Sequence, residues 1–200
     1  MGAVAGLQAQ VASAAELMLW ARTDRLDAGL LDRLLWEDRA LARTWAMRGT
    51  LHVLHPADVT LIGAARGGDA PPEAAWFKFF KVSRAGFDSL MEAVPAALSD
   101  QPLTRRELAD AISREGGAAL GQRLLSGWGE FLKPLARRGL LLSGPPRGPE
   151  ATFVSTQAWL GRQRQWSVVE AGAEAVRRYL AVFGPAGRAD FERWLGVRPP

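Results

Sequence analysis

The stretch Arg43-Thr44-Trp45-Ala46-Met47-Arg48-Gly49-Thr50-Leu51-His52 decides how the rest of the chain is read. Ala42 to Ala46 and Thr50 to Leu54 are short strand candidates on either side of Met47-Arg48-Gly49, so the segment predicts a β-hairpin with Gly49 permitting the tight turn. Upstream lie two helix candidates. Ser13-Ala14-Ala15-Glu16 has capping-box spacing ahead of Leu17, Trp20 and Ala21. Asp27 is placed to cap a helix with Leu30, Leu31, Leu34 and Leu35 on one face. Downstream, Pro56 suits the first turn of a short helix through Ala65.

Helix, helix, hairpin is the order of a winged helix-turn-helix, and it recurs. A long helix is expected over Val82 to Leu98. Thr104-Arg105-Arg106-Glu107 is a second capping box, followed by Leu108, Ala111 and Ile112. Leu120, Leu124, Trp128, Leu132 and Leu135 form a sustained stripe that stops at Gly139. Leu140 to Ser143 and Thr152 to Ser155 then flank a Gly/Pro-rich loop. A third box, Ser167-Val168-Val169-Glu170, opens a helix with Val176, Leu180 and Phe183, and another helix begins near Arg188. The expected fold is mainly α with small β-hairpins, as tandem winged helix-turn-helix modules over residues 1–66, 67–160 and 161–200. The third is only begun, so the last ~20 residues are expected to pack back on the second module or to mediate self-association.

Composition narrows the function classes. Nearly half of the 200 residues are hydrophobic (48%), enough for one large core or two small ones. No apolar run approaches the ~18 residues of a membrane span. The chain has no cysteine and two histidines, His52 and His55, which argues against disulfides and a structural zinc site and fits a reducing cytoplasm. The net charge of +4 permits nucleic-acid binding without demanding it. More informative is a local excess: Arg123, Lys133, Arg137, Arg138 and Arg147 against one acid, Glu130. The aromatic-basic run Trp76-Phe77-Lys78-Phe79-Phe80-Lys81 reads as a packed linker in preference to a base-stacking platform.

Two segments carry a family resemblance. Leu7-Gln8-Ala9-Gln10, followed by Ala14-Ala15-Glu16-Leu17 and Leu19-Trp20-Ala21-Arg22, together with Arg43 to His52, resembles the winged-helix DNA glycosylases of the AlkZ-like type. These remove bulky alkylated bases and unhook interstrand crosslinks. The resemblance implies that Gln8 and Gln10, as the Gln-x-Gln motif, are the catalytic pair, and that the partner is double-stranded DNA, damaged or crosslinked, in the cytoplasm at the nucleoid. Against the family pattern the chain reads as truncated at both ends.

The chemistry of two glutamines is restricted. Residues i and i+2 of an extended segment point the same way. Two amides there can orient a water, and their carbonyl dipoles can stabilise positive charge at an anomeric carbon. An amide does not take a proton at neutral pH, so the site suits a leaving group that is already activated, such as a cationic N7-alkylguanine. Arg43, Arg48 and His52 are candidate DNA contacts on the hairpin; equally, the arginines can bond backbone carbonyls or helix ends. Gln122, Arg123, Lys133, Arg137 and Arg147 are the DNA-contact candidates of the second module. No metal or other cofactor is called for. The competing expectation is a non-catalytic winged-helix binder or transcriptional regulator.

Overall fold

A computed structural model describes residues 6–23, 27–68, 70–116, 118–125 and 129–197. Trp128 of the expected stripe lies outside them. The chain divides into two compact units, Met1–Gly68 with Arg162–Pro200, and Asp69–Gly161.

In the first unit, β1 (Leu7–Gln8), β2 (Ala42–Trp45) and β3 (Leu51–Leu54) form an antiparallel sheet in the order β1-β3-β2. α1 (Ala12–Trp20) and α2 (Leu30–Asp32) lie between β1 and β2 in the chain, and α2 widens into a π turn over Arg33–Glu37. Leu7, Ala9, Ala15, Leu19, Leu31, Leu35, Leu41 and Val53 make the core of this half. The inward face of α1 is therefore Ala15 and Leu19, an i,i+4 pair. Leu17 and Trp20, the expected inward residues, are 60% and 58% exposed.

Two helix starts also differ from expectation. α1 begins directly after β1 with Val11 as its N-cap, which puts Ser13 inside the first turn and leaves no box to form. α2 starts from Gly29, at φ 79°, with no side-chain cap; Asp27 contributes only its carbonyl, which accepts from Leu30 N at 3.1 Å. α3 (Pro56–Ala65) follows as expected, and His55 caps it by accepting from Ala57 N at 3.3 Å.

α10 (Val168–Phe183) and α11 (Arg188–Leu195) complete this unit. The third capping box is present in both directions. α10 turns Ala171, Ala175 and Tyr179 inward, and small residues there let it lie close against α3. Val176, Leu180 and Phe183, the expected stripe, are the more exposed flank. Asp58 of α3, 6% exposed, is paired with Arg178 of α10. α11 seats on the 3-10 turn Met47–Gly49 of the hairpin. A Cβ added at Gly196 would stand 2.4 Å from Arg48 Cα, so this approach admits only glycine.

The second unit runs α4 (Ala74–Phe80), α5 (Arg84–Ala97), β4 (Leu103–Thr104), α6 (Arg105–Gly116), α7 (Ala118–Leu125), α8 (Lys133–Arg137), β5 (Leu141–Arg147), β6 (Glu150–Ser155) and α9 (Thr156–Leu160). Its sheet order is β4-β6-β5. The register repeats that of the first unit: Leu103 pairs with Phe153 and Thr104 with Thr152, as Leu7 pairs with Val53 and Gln8 with His52. Thr104 and Glu107 form the second capping box. Phe87, Leu90, Val94, Leu108, Ile112, Leu135 and Leu141 are buried at its centre. The expected stripe from Leu120 to Leu135 is divided between α7 and α8, with a turn at Gly129 (φ 88°). The hairpin strands are longer than expected and leave only Gly148 and Pro149 at the tip.

Candidate functional site

Gln8 and Gln10 stand at an edge of the first unit's sheet. Along Leu7-Gln8-Ala9-Gln10 burial alternates: Leu7 and Ala9 enter the core and both glutamines are exposed. The i, i+2 argument therefore holds for the pair. Gly6 sets the entry to β1, at φ 100° and where an added Cβ would stand 2.6 Å from Leu54 Cδ2.

Beyond β1 the backbone ladder is taken over by side chains. Ala9 N donates to Leu51 O at 2.8 Å. Leu51 N donates to Gln10 Oε1 at 3.3 Å instead of returning a bond to Ala9. Ala9 O accepts from Arg43 Nη2 at 3.0 Å. The Gln10 carbonyl is thus engaged by the protein, and its amide N–H groups remain for another partner.

Gln8 pairs with His52 on β3, and His52 with Thr44 on β2, so the three form one row across one face of the sheet. The row passes from solvent into the core: Gln8 is exposed, His52 and Thr44 are each 2% exposed. His52 Nδ1 lies 2.9 Å from Thr50 O. A carbonyl only accepts, so Nδ1 carries the proton and Nε2 the lone pair in the neutral ring. Burial pushes the His52 pKa down, and the Arg48 and Arg66 charges add to this against a smaller opposing effect of the Thr50 carbonyl.

The hairpin arginines are both tied to backbone carbonyls. Arg43 holds Ala9 as above; burial lowers its pKa, with Asp32 opposing. Arg48, at the left-handed φ of 56°, donates to Trp194 O of α11 at 3.2 Å while its side chain stays exposed. In the second unit Gln122 is exposed on α7, and Arg123 on the same helix donates to Lys81 O at 3.4 Å. Lys133 at the start of α8 is paired with Glu130, and Arg137 at its end donates to Ala70 O. Arg147, the last residue of β5, grips Glu107 with both terminal nitrogens and donates to Pro102 O at 2.7 Å. That grip, with the Thr104 cap, holds the Glu107 carboxyl down to about 2. The structure therefore gathers Gln8, Gln10, Arg43 and His52 at one small sheet, with Arg48 on its hairpin turn, and distributes the others over α7, α8 and β5.

A model of the family described as DNA glycosylase AlkZ-like matches residues 1–200. The chain belongs to the AlkZ-like DNA glycosylase family. A curated relative from Streptomyces sahachiroi, an interstrand DNA cross-link repair glycosylase, is 36% identical over 205 residues, covering 98% of this chain and 54% of the relative. The solved structure of the Streptomyces sahachiroi DNA glycosylase AlkZ aligns with a TM-score of 0.82 at 32% identity, over 98% of this chain and 57% of that one. The chain spans about half the length of the relatives it matches.

Sequence reasoning on this AlkZ-like chain missed Thr44 and Arg66. Thr44 had a usable signal: a three-residue turn over Met47-Arg48-Gly49 sets it opposite His52. Arg66, whose charge reaches His52 from the end of α3, had none, because that approach depends on how α3 returns past the hairpin.

Proposed function

We propose that this chain carries the base-excision site of a DNA glycosylase that hydrolyses the N-glycosidic bond of N7-alkylated purines or crosslinks, with Gln8 and Gln10 as the catalytic pair. The observation that carries the reading is the pair itself: two exposed amides two residues apart, Gln8 on an edge strand and Gln10 just beyond it with its carbonyl already bonded to Leu51 N. A water held by the amides attacks the anomeric carbon. The C1′–O bond forms, the C1′–N9 bond breaks, and the pair of electrons neutralises the cationic base as it leaves; the water's proton passes to solvent. The amides supply orientation and dipoles, not proton transfer.

The proposed partner is double-stranded DNA, damaged or crosslinked, at the nucleoid in the cytoplasm. Two sheets of order first-third-second strand, each with helices between its first strand and its hairpin, support tandem winged-helix modules, with boundaries near 66 and 160. Arg43, Arg48 and His52 are the proposed DNA contacts of the first module, and Gln122, Arg123, Lys133, Arg137 and Arg147 those of the second. Arg147 and Lys133 would exchange a carboxylate for a phosphate, so their contribution is smaller than that of a free cation. Self-association is proposed through the exposed Val169, Leu180 and Phe183 of α10 and is read from sedimentation.

The test is base release from duplex carrying N7-methylguanine. The folded chain is expected to release the base, and Gln8→Ala or Gln10→Ala to slow release about 100-fold. Salt-dependent duplex binding without base loss would overturn excision and leave a non-catalytic winged-helix binder or regulator.

A further inference from the structure

The two glutamines do not face the substrate on equal terms. Gln10 has its carbonyl turned onto Leu51 N, which fixes the direction of its amide. Charge at an opening glycosidic bond is positive on the sugar, and stabilising it takes an oxygen. Gln8 can aim a free oxygen there if its amide is turned with the NH2 inward. An amide at an exposed strand edge has no such preference unless something beneath it accepts from the NH2.

His52 is placed to be that acceptor. Bonds between β1 and β3 alternate, and Ala9–Leu51 is a hydrogen-bonded pair. Gln8–His52 next to it is therefore a non-hydrogen-bonded pair, the kind in which side chains approach most closely, with Cβ atoms about 4.5–5.5 Å apart. The Nδ1 proton is fixed on Thr50 O. The remaining ring nitrogen, Nε2, has no hydrogen-bond partner among the described residues. We propose that His52 is a positioning residue that sets the orientation of Gln8: its Nε2 lone pair accepts from the Gln8 side-chain N–H and leaves the Gln8 carbonyl facing the reacting sugar. This rests on the reading of Gln8 as part of the excision site.

The charged groups that face the ring are Arg48 from the hairpin turn and Arg66 from the end of α3, and among the described residues no carboxylate offsets them. Both arginines and burial favour the neutral ring. Its pKa is thus below 6.5, and the acceptor is intact at neutral pH. Protonation converts Nε2 from acceptor to donor, and Gln8 must then flip. Excision is accordingly expected to be level above the His52 pKa and to fall as pH drops through it.

Three variants separate positioning from structure. His52→Leu removes the acceptor and is expected to lower the single-turnover rate at saturating DNA about 10–100-fold. His52→Gln keeps a carbonyl near the Nε2 position and is expected to retain most of the rate while losing the acid limb. Thr44→Ser changes the other neighbour in the row and is expected to leave the acid limb in place. A readout independent of activity is the Gln8 side-chain amide resonance of the wild-type chain, which is expected to move with the titration of His52 and to be pH-independent in His52→Gln. A Gln8 resonance indifferent to His52 protonation, or a His52→Gln chain as slow as His52→Leu, overturns the proposal. A coupled Gln8 resonance in a chain that releases no base supports the orientation and overturns the excision reading alone.

Discussion

At the residue scale, the hairpin arginines illustrate what a pattern of residue types leaves open. Arg43 and Arg48 stand on a hairpin where phosphate contact and carbonyl capture are equally compatible with the sequence. Tertiary contacts supply carbonyl partners for both: Ala9 O takes Arg43, and Trp194 O takes Arg48. Neither partner is near in sequence, so no local reading reaches it. Gln8 and Gln10 are the opposite case. Their outward direction follows from strand alternation alone. Gly6 ties that strand down, and Gly6→Ala would put a methyl 2.6 Å from Leu54 Cδ2 at a φ hostile to side chains. It is expected to cost about 1–3 kcal/mol in urea unfolding and to slow base release with it. Arg147 and Glu107 give a pH prediction. The Glu107 carboxyl is held to about 2, below its ordinary 4.5, so its contribution is complete above about 4.5 and is lost as pH falls towards 2. Urea midpoints at pH 5 and pH 3 are expected to differ less in Arg147→Ala than in the wild type.

At the scale of elements, helix existence was readable and the inward face was not. The capping boxes at Thr104 and Ser167 form because each sits where a strand or loop ends and an apolar run begins. Ser13 fails because the helix starts two residues earlier, from Val11. The inward face of α10 is alanine and Tyr179, not its larger aliphatic residues, because α3 needs a close approach more than it needs bulk. The run from Trp76 to Lys81 is a helix, α4, with two kinds of aromatic. Trp76 rests against Phe80, Phe87 and Phe131 at centroid distances of 4.8, 5.7 and 5.4 Å. Phe79 is 78% exposed. Trp76→Ala is expected to cost about 3 kcal/mol and Phe79→Ala less than about 0.5, measured by thermal unfolding.

At the scale of the whole molecule, the first unit is assembled from both ends of the described chain, with the second unit lying between them in sequence. The contacts that join the ends are specific: Asp58 with Arg178, Thr60 Oγ1 with Arg164 O at 2.8 Å, and the turn at Arg48 with Gly196. Arg178→Met leaves a buried carboxylate without its cation and is expected to destabilise the first unit by about 3 kcal/mol in denaturant titration. Nothing in the sequence pattern around residue 160 announces this arrangement, since a repeated order of helices and hairpins reads most naturally as beads in succession.

The seat of Gly196 on Arg48 also orders events during synthesis. A ribosome must deliver α11 before the turn beneath it can be closed, so the strand bearing His52 waits for nearly 150 further residues. The middle of the chain, a compact unit built from one continuous segment, is free to fold first. A nascent chain arrested shortly after Gly161 is therefore expected to resist protease in its later half and remain cleavable around Gln8 and Gln10. The same chain released at full length is expected to be protected in both.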